Sequence, residues 1–432
     1  MKKHTPDLIK KNLFDSIDLL LSERSKYLYD PERDFTRTQK ISFHDSMLFP
    51  MIVSSDSTAV EMLDYFPIHN LPSQAALSYR RGQIKVAAFM DLFKSFTSKL
   101  PQDRTFRGMR LIACDGTRLN TPYNPKDTDS FVNCIKRRKG FNQYHLNTCY
   151  DVLNDIYLDA VIQNYFSMNE NQAFCEMMDR FPQDIPALFT ADRGYDSYNV
   201  IAHAIKDHHR FVIRLTSSKA RYIFDSISDY DSSDSFDIED DIHIGRVRNK
   251  ESRCLRNYHF IRKCYNYDFI APGICSFDRL RVRLVKFKLP GGDFEYLLTN
   301  LPCRDFPISD IKEIYRLRWG IETSFRFLKY ASEMNSIHSL KQDFIFQEIY
   351  AKLTSYNFCA AIMKCLHSND SGKTKYKYEP EKTYLIKICM RYLKGKLDDI
   401  FSLISKRKVP VRADRSFSRS IRRQHADTLQ YR

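Results

Sequence analysis

Between residues 108 and 216 short apolar runs alternate with amphipathic stretches in an order that points to a mixed α/β sheet rather than a regular parallel repeat. Met109 to Ala113, Tyr144 to Leu153 and Ile156 to Ile162 read as strands, the last two joined by a turn at Asn154-Asp155. Glu170 to Arg180 reads as a helix, Ala187 to Thr190 as a short buried strand, Ser197 to Lys206 as a helix and Phe211 to Leu215 as a strand. Two of these runs end alike. Leu-Ile-Ala-Cys leads into Asp115 and a glycine; Leu-Phe-Thr-Ala leads into Asp192, an arginine and a glycine. The glycines let the chain turn sharply. If the strands are neighbours, the two carboxylates meet at one edge of the sheet.

A third acid enters on a later helix. In Tyr-Arg-Leu-Arg-Trp-Gly-Ile-Glu-Thr-Ser-Phe-Arg-Phe-Leu-Lys, Tyr315, Arg318, Glu322 and Lys329 are spaced by 3, 4 and 7 residues. On an ideal helix they share an arc of ~60°. Ile314, Leu317, Ile321, Phe325 and Leu328 form an adjacent apolar face. Three carboxylates are hard oxygen ligands, suited to Mg²⁺ with Mn²⁺ as a substitute. Two such ions ~4 Å apart clamp the attacking and leaving oxygens of a phosphoryl displacement.

The bulk properties agree with a nucleic-acid partner. The chain has 432 residues, with 68 Lys and Arg against 53 Asp and Glu, a net charge of +15. No run approaches the ~20 apolar residues that span a bilayer, so no membrane role is expected. Eleven cysteines are scattered without a C-x-x-C pair, as in a reducing compartment. Cys254, Cys264 and Cys275 are too widely spaced for a zinc knuckle. No P-loop or dinucleotide fingerprint is present.

These residues resemble the IS4-type DDE transposases of bacterial insertion sequences. The signature Tyr, two residues, Arg, three residues, Glu, six residues, Lys is met at every spacing by Tyr315, Arg318, Glu322 and Lys329, and Asp-Gly-Thr and Asp-Arg-Gly-Tyr match the two earlier acidic motifs. The resemblance covers roughly residues 60 to 335. It implies a ribonuclease-H-like mixed α/β sheet core with an inserted, mostly β subdomain and helical flanking regions. It also implies Asp115, Asp192 and Glu322 as the catalytic, metal-binding triad, a bound pair of Mg²⁺ ions, and double-stranded DNA (element ends and target) as partner. A homodimer in the DNA complex and a cytoplasmic, nucleoid-associated location in a bacterium complete the expectation.

The expected divisions are a helical DNA-binding region at 1–102, the first part of the core at 103–216, the insertion at 217–290, the last strand and Glu-bearing helix at 291–340, and a helical region with a basic tail at 341–432. The insertion accounts for the gap of 130 residues between Asp192 and Glu322. Its eight acidic residues between Asp225 and Asp241 read as a solvated loop. The expected DNA contacts are Tyr315, Arg318 and Lys329 on phosphates, Arg193 beside Asp192, the cluster Lys136, Arg137, Arg138 and Lys139, and Arg80 and Arg81 on a small helix. His145 reads as a core residue, and Trp319 as packing. Some relatives stack a flipped base on a tryptophan in the strand before the Glu-bearing helix; here that strand, Phe294-Glu-Tyr-Leu-Leu-Thr, has none. The expected function is cut-and-paste transposition, with metal-dependent cleavage and strand transfer at the element's inverted repeats, the freed 3′-hydroxyl attacking either the opposite strand to give a hairpin or target DNA. The rivals are a catalytically silent DNA-binding descendant and a nuclease that cuts without joining.

Overall fold

The computed structural model describes residues 5–133, 140–224, 233–367 and 378–410. One ten-stranded sheet organises them. Its strands are β1 (Arg110–Thr121), β2 (Phe131–Val132), β3 (Phe141–Asp151), β4 (Ile156–Asn164), β5 (Ala187–Ala191), β6 (Arg210–Leu215), β7 (Phe236–Gly245), β8 (Tyr258–Phe260), β9 (Phe277–Lys288) and β10 (Phe294–Thr299). β1, β3 and β4 form an antiparallel meander, and β5 and β6 continue it parallel to β1. The order β4-β3-β1-β5-β6, with helices crossing between β4 and β5 and between β5 and β6, is the ribonuclease-H-like arrangement. β5 reads Ala-Leu-Phe-Thr-Ala and is buried at every position, as a central parallel strand must be. Asn169 and Ser197 cap the two crossover helices, Glu170–Asp179 and Tyr198–Lys206, with their side-chain oxygens.

Strand alternation sorts the core into two faces. Ile112, Cys114, Phe189, Ala191, Phe211 and Ile213 pack under the crossover helices. Leu111, Leu188, Val212 and Leu297 pack against Ile311, Ile314 and Tyr315 of the helix Ile308–Leu317. On that second face, Ala113 and Leu119 join a large core shared by the N-terminal helices, Ile321, Phe325 and the long helix Gln342–His367.

The insertion is mostly β, and it continues the sheet edge to edge: β10 pairs with β6 and β9, and β9 with β7. The acidic stretch departs from expectation. Residues 225–232 lie outside the described residues, but Asp237, Glu239 and Asp241 belong to β7 and are no solvated loop. They pair diagonally with Arg283, Arg281 and Arg279 of β9. The partner arginines, about 40 residues downstream, hold the acids in the strand.

The N-terminal helices do not stand apart as a DNA-reading module. Arg80 and Arg81, expected to face DNA, are both buried. Arg80 lies over the Phe35 ring and donates to Ile41 O and Gln83 Oε1. Arg81 pairs with Glu348 at 3.2 Å and donates to Gln347 and to Phe344 O, tying its helix to Gln342–His367. The basic edge of Gln74–Gly82 is thus an internal seam. Breaking a buried pair leaves the other charge uncompensated, at a cost of about 3–5 kcal/mol. Arg81→Ala should therefore lower the unfolding free energy from urea denaturation by that amount, and a change below about 1 kcal/mol would show the pair to be idle.

Candidate active site

Four adjacent strands each place one polar residue on the face covered by the helix Ile308–Leu317. In β1, Asp115 follows Leu111 and Ala113 on that face; beyond β5, Asp192 follows Leu188 and Thr190. Arg214 of β6 follows Val212, and Glu295 of β10 precedes Leu297. Asp115 is not at the end of its strand, which runs on to Thr121. It sits where the parallel partner stops: the β1–β5 ladder closes at Cys114↔Ala191, so Asp115 and Asp192 leave adjacent register positions together.

The covering helix is not the single regular one expected. It runs from Ile308 to Leu317, tightens through Arg318 and Trp319, resumes at Gly320–Arg326 and widens into a π turn at Phe327–Ala331. Gly320 is packed so closely on Val152 that a Cβ would lie 2.9 Å from its Cγ1. π turns are frequent at functional sites.

The tyrosine and arginine of this helix turn inward. Tyr315, buried, donates its hydroxyl to Asp192 Oδ1 at 3.0 Å. Arg318 is 2% exposed and donates Nη2 to Glu322 Oε1 at 3.0 Å. Both were expected on DNA phosphates; in this structure their first partners are the carboxylates. Arg214 reaches Asp192 Oδ1 at 3.9 Å and Glu295 Oε1 at 3.4 Å. Lys329, in the π turn, donates to the Arg118 carbonyl at 2.8 Å. Arg193 is exposed, and its backbone N–H donates to Asp192 Oδ1 at 2.8 Å. Trp319, expected in the core, is 44% exposed beside Arg318. Lys136, Arg137, Arg138 and Lys139 lie outside the described residues.

The surroundings shift the two aspartates in opposite directions. Burial pushes Asp115 up to about 6; the Gly116 N–H and Arg318 oppose this, while Glu322 and Glu170 reinforce it. Burial also pushes Asp192 up, but the Arg193 N–H, Arg318, Tyr315 and Arg214 outweigh it and leave the carboxyl below its usual range. Burial raises Glu295. An acid raised on folding contributes stability that is complete below its unfolded value, near pH ~4, and is lost as the pH rises through about 6. Asp115→Asn should remove that slope, read from urea midpoints between pH 4 and 7. An unchanged slope would place the titration elsewhere.

Arg214 and Glu295 were missed in the sequence. Each was visible as a polar interruption of an apolar strand, but only strand order shows that they share the face of Asp115. Three ligand groups within 4.8 Å of one another occur, among the described residues, at Asp179, His203 and Asp207 rather than at Asp115, Asp192 and Glu322. There His203 lies between Asp179 at 2.7 Å and Asp268 at 3.0 Å and joins the crossover helices to the insertion.

A ribonuclease-H-like sheet, extended by a β insertion before an acid-bearing helix, defines the class of DDE-type transposase cores. A family model described as "Transposase DDE domain" matches residues 106–358, and the chain belongs to that family. No curated protein matches the chain by sequence. Among solved structures, the piggyBac transposase synaptic complex with hairpin DNA is similar at 9% identity with a TM-score of 0.47, over 94% of this chain and 82% of that one.

Enzymes of this family work with divalent metal ions. The donors fit such a group: Asp115, Asp192 and Glu322 offer only hard oxygens. Burial holds Asp115 up near 6, and a cation bound beside it would return that carboxyl to its ionised form.

Proposed function

We propose that this chain is an IS4-type transposase that binds the inverted ends of its own element and cuts and rejoins DNA there. Asp115, Asp192 and Glu322 hold Mg²⁺, two ions at full occupancy, and Mn²⁺ can replace it. The observation that carries the reading is that Asp115 and Asp192 leave adjacent register positions on the face that the Glu322 helix covers.

When bound, the metal supplies charge for the attacking and leaving oxygens of a phosphoryl displacement. The remaining work falls to the chain. Tyr315 fixes Asp192 through Oδ1 and leaves its other oxygen to a ligand. Arg318 neutralises Glu322 in the free protein, and were Glu322 to hold a cation, the guanidinium fork would be available to a phosphate. Arg193, exposed beside Asp192, is placed to meet the DNA backbone, and the ammonium of Lys329 can exchange its carbonyl partner for a phosphate. Phe294, with Lys286 4.4 Å over its ring, and Tyr296 stand where a base-stacking tryptophan occurs in some relatives. A hairpin route is therefore the less supported branch, and direct attack of a freed 3′-hydroxyl on target DNA is the simpler one. Pairing of two ends calls for two copies of the chain in the DNA complex.

The test is cleavage of duplexes carrying the DNA that flanks the coding region. Nicks at the element boundary are expected with Mg²⁺ or Mn²⁺ and none in EDTA. Cleavage that persists in EDTA would end the reading.

A further inference from the structure

The second face of the sheet reaches the same edge of the site. In β1, Asp115 faces the Glu322 helix, so its neighbour Gly116 faces the helix Glu170–Asp179 with no side chain of its own. The space a Cβ would take there is closed by three polar atoms. His145 Nε2 lies well inside contact distance, and Asn147 Oδ1 and Glu170 Oε1 each lie 3.0 Å away. The other oxygen, Glu170 Oε2, lies 3.9 Å from the Cβ position of Gly194, two residues past Asp192. One carboxylate thus spans from the glycine after Asp115 to the turn after Asp192.

Its position is supported from behind. The buried His145 places Nε2 2.8 Å from Glu170 Oε1, and this partner draws the Glu170 carboxyl below its usual range despite burial. Asn169 caps the helix start, and Asn171 donates to Gly194 O at 3.3 Å. The Glu170 side chain remains 35% exposed. Beside it, Asn147 Oδ1 and the Tyr195 hydroxyl are buried and have no hydrogen-bond partner among the described residues. Orphaned buried polar atoms of this kind call for a ligand or ordered water.

Charge argues in the same direction. Arg318 and Arg214 offset two of the four carboxylates Asp115, Asp192, Glu322 and Glu295. Two divalent ions need more negative charge than the remainder, and Glu170 is an ionised carboxylate at the rim.

We propose that Glu170 is a fourth carboxylate of the cation site, presented across the bare face of Gly116 and positioned by His145. The inference rests on the assignment of Asp115, Asp192 and Glu322 as metal holders, and it adds a residue from the opposite face. A structural His–Glu pair would need neither the glycine nor an open carboxylate oxygen.

The experiment is calorimetric titration of the full chain with Mn²⁺ alone, comparing wild type, Glu170→Gln and Asp192→Ala. Glu170→Gln keeps the shape and, with its metal-free fold checked by circular dichroism, should weaken Mn²⁺ binding about 10–100-fold. Unchanged affinity and stoichiometry in Glu170→Gln, alongside a loss in Asp192→Ala, overturns the inference and leaves the triad standing. A wild type that binds no Mn²⁺ overturns both. Glu170→Asp serves if the glutamine variant does not fold: it keeps the charge but withdraws the carboxylate by one carbon. The same weakening is expected, and wild-type affinity overturns the inference.

Discussion

Asp192→Ala should reduce cleavage of element ends by on the order of 10⁴-fold, the scale seen when one member of a catalytic unit is removed. The reasoning is geometric. Asp192 Oδ1 already receives the Arg193 N–H and the Tyr315 hydroxyl, so the side chain is held in one orientation with its second oxygen to spare. No other side chain occupies that register position at the end of β5. DNA affinity should stay within a few-fold of wild type, because the substitution removes a negative charge and no cation. Glu322→Gln should behave alike while keeping an oxygen for Arg318. Single-turnover cleavage and gel-shift assays on the same preparations separate the two quantities. Cleavage within about tenfold of wild type would remove the residue from the site.

Arg318→Lys should lower cleavage by on the order of 10²–10³-fold, as does loss of a preorganised donor, without weakening Mn²⁺ binding. Arg318 is the cation common to the field of all three acids. A lysine keeps the charge but not the fork, and an ammonium is a strongly hydrated point charge on a more flexible stem. If Arg318 only balanced the acids, the lysine variant would cleave like wild type. If it also clamps a phosphate, cleavage falls while the metal titration is unchanged. Because the ion pair with Glu322 competes with a cation for the same carboxylate, Arg318→Met should bind Mn²⁺ more tightly than wild type.

The acids were legible in the sequence because their signals are local. An apolar run leading into Asp before a glycine marks the strand, although at Asp115 the strand runs on to Thr121 where a break was read, and the helix spacing around Glu322 needs only the period of 3.6. The same local reading failed where the partner is remote. Arg80 and Arg81 make a basic helix edge, and nothing within the segment reveals that Glu348, 267 residues away, lies against it. Asp237, Glu239 and Asp241 read as a solvated run because their arginines come later in the chain. Glu170 and His145 carry no motif. They join the site only because strand alternation turns Gly116 to the opposite face from Asp115. Tyr315 and Arg318 were read as phosphate contacts, and in the protein without DNA they meet Asp192 and Glu322, which an ideal helix arc alone does not show.

The most direct test of the central claim is strand transfer in vitro. Purified protein is incubated with Mg²⁺, a linear DNA carrying both flanking ends and a plasmid target, and the products are sequenced across their junctions. Element ends joined to the target and bordered by short direct repeats are the predicted result. Ends that are cut but never joined, or no metal-dependent product at all, would contradict it.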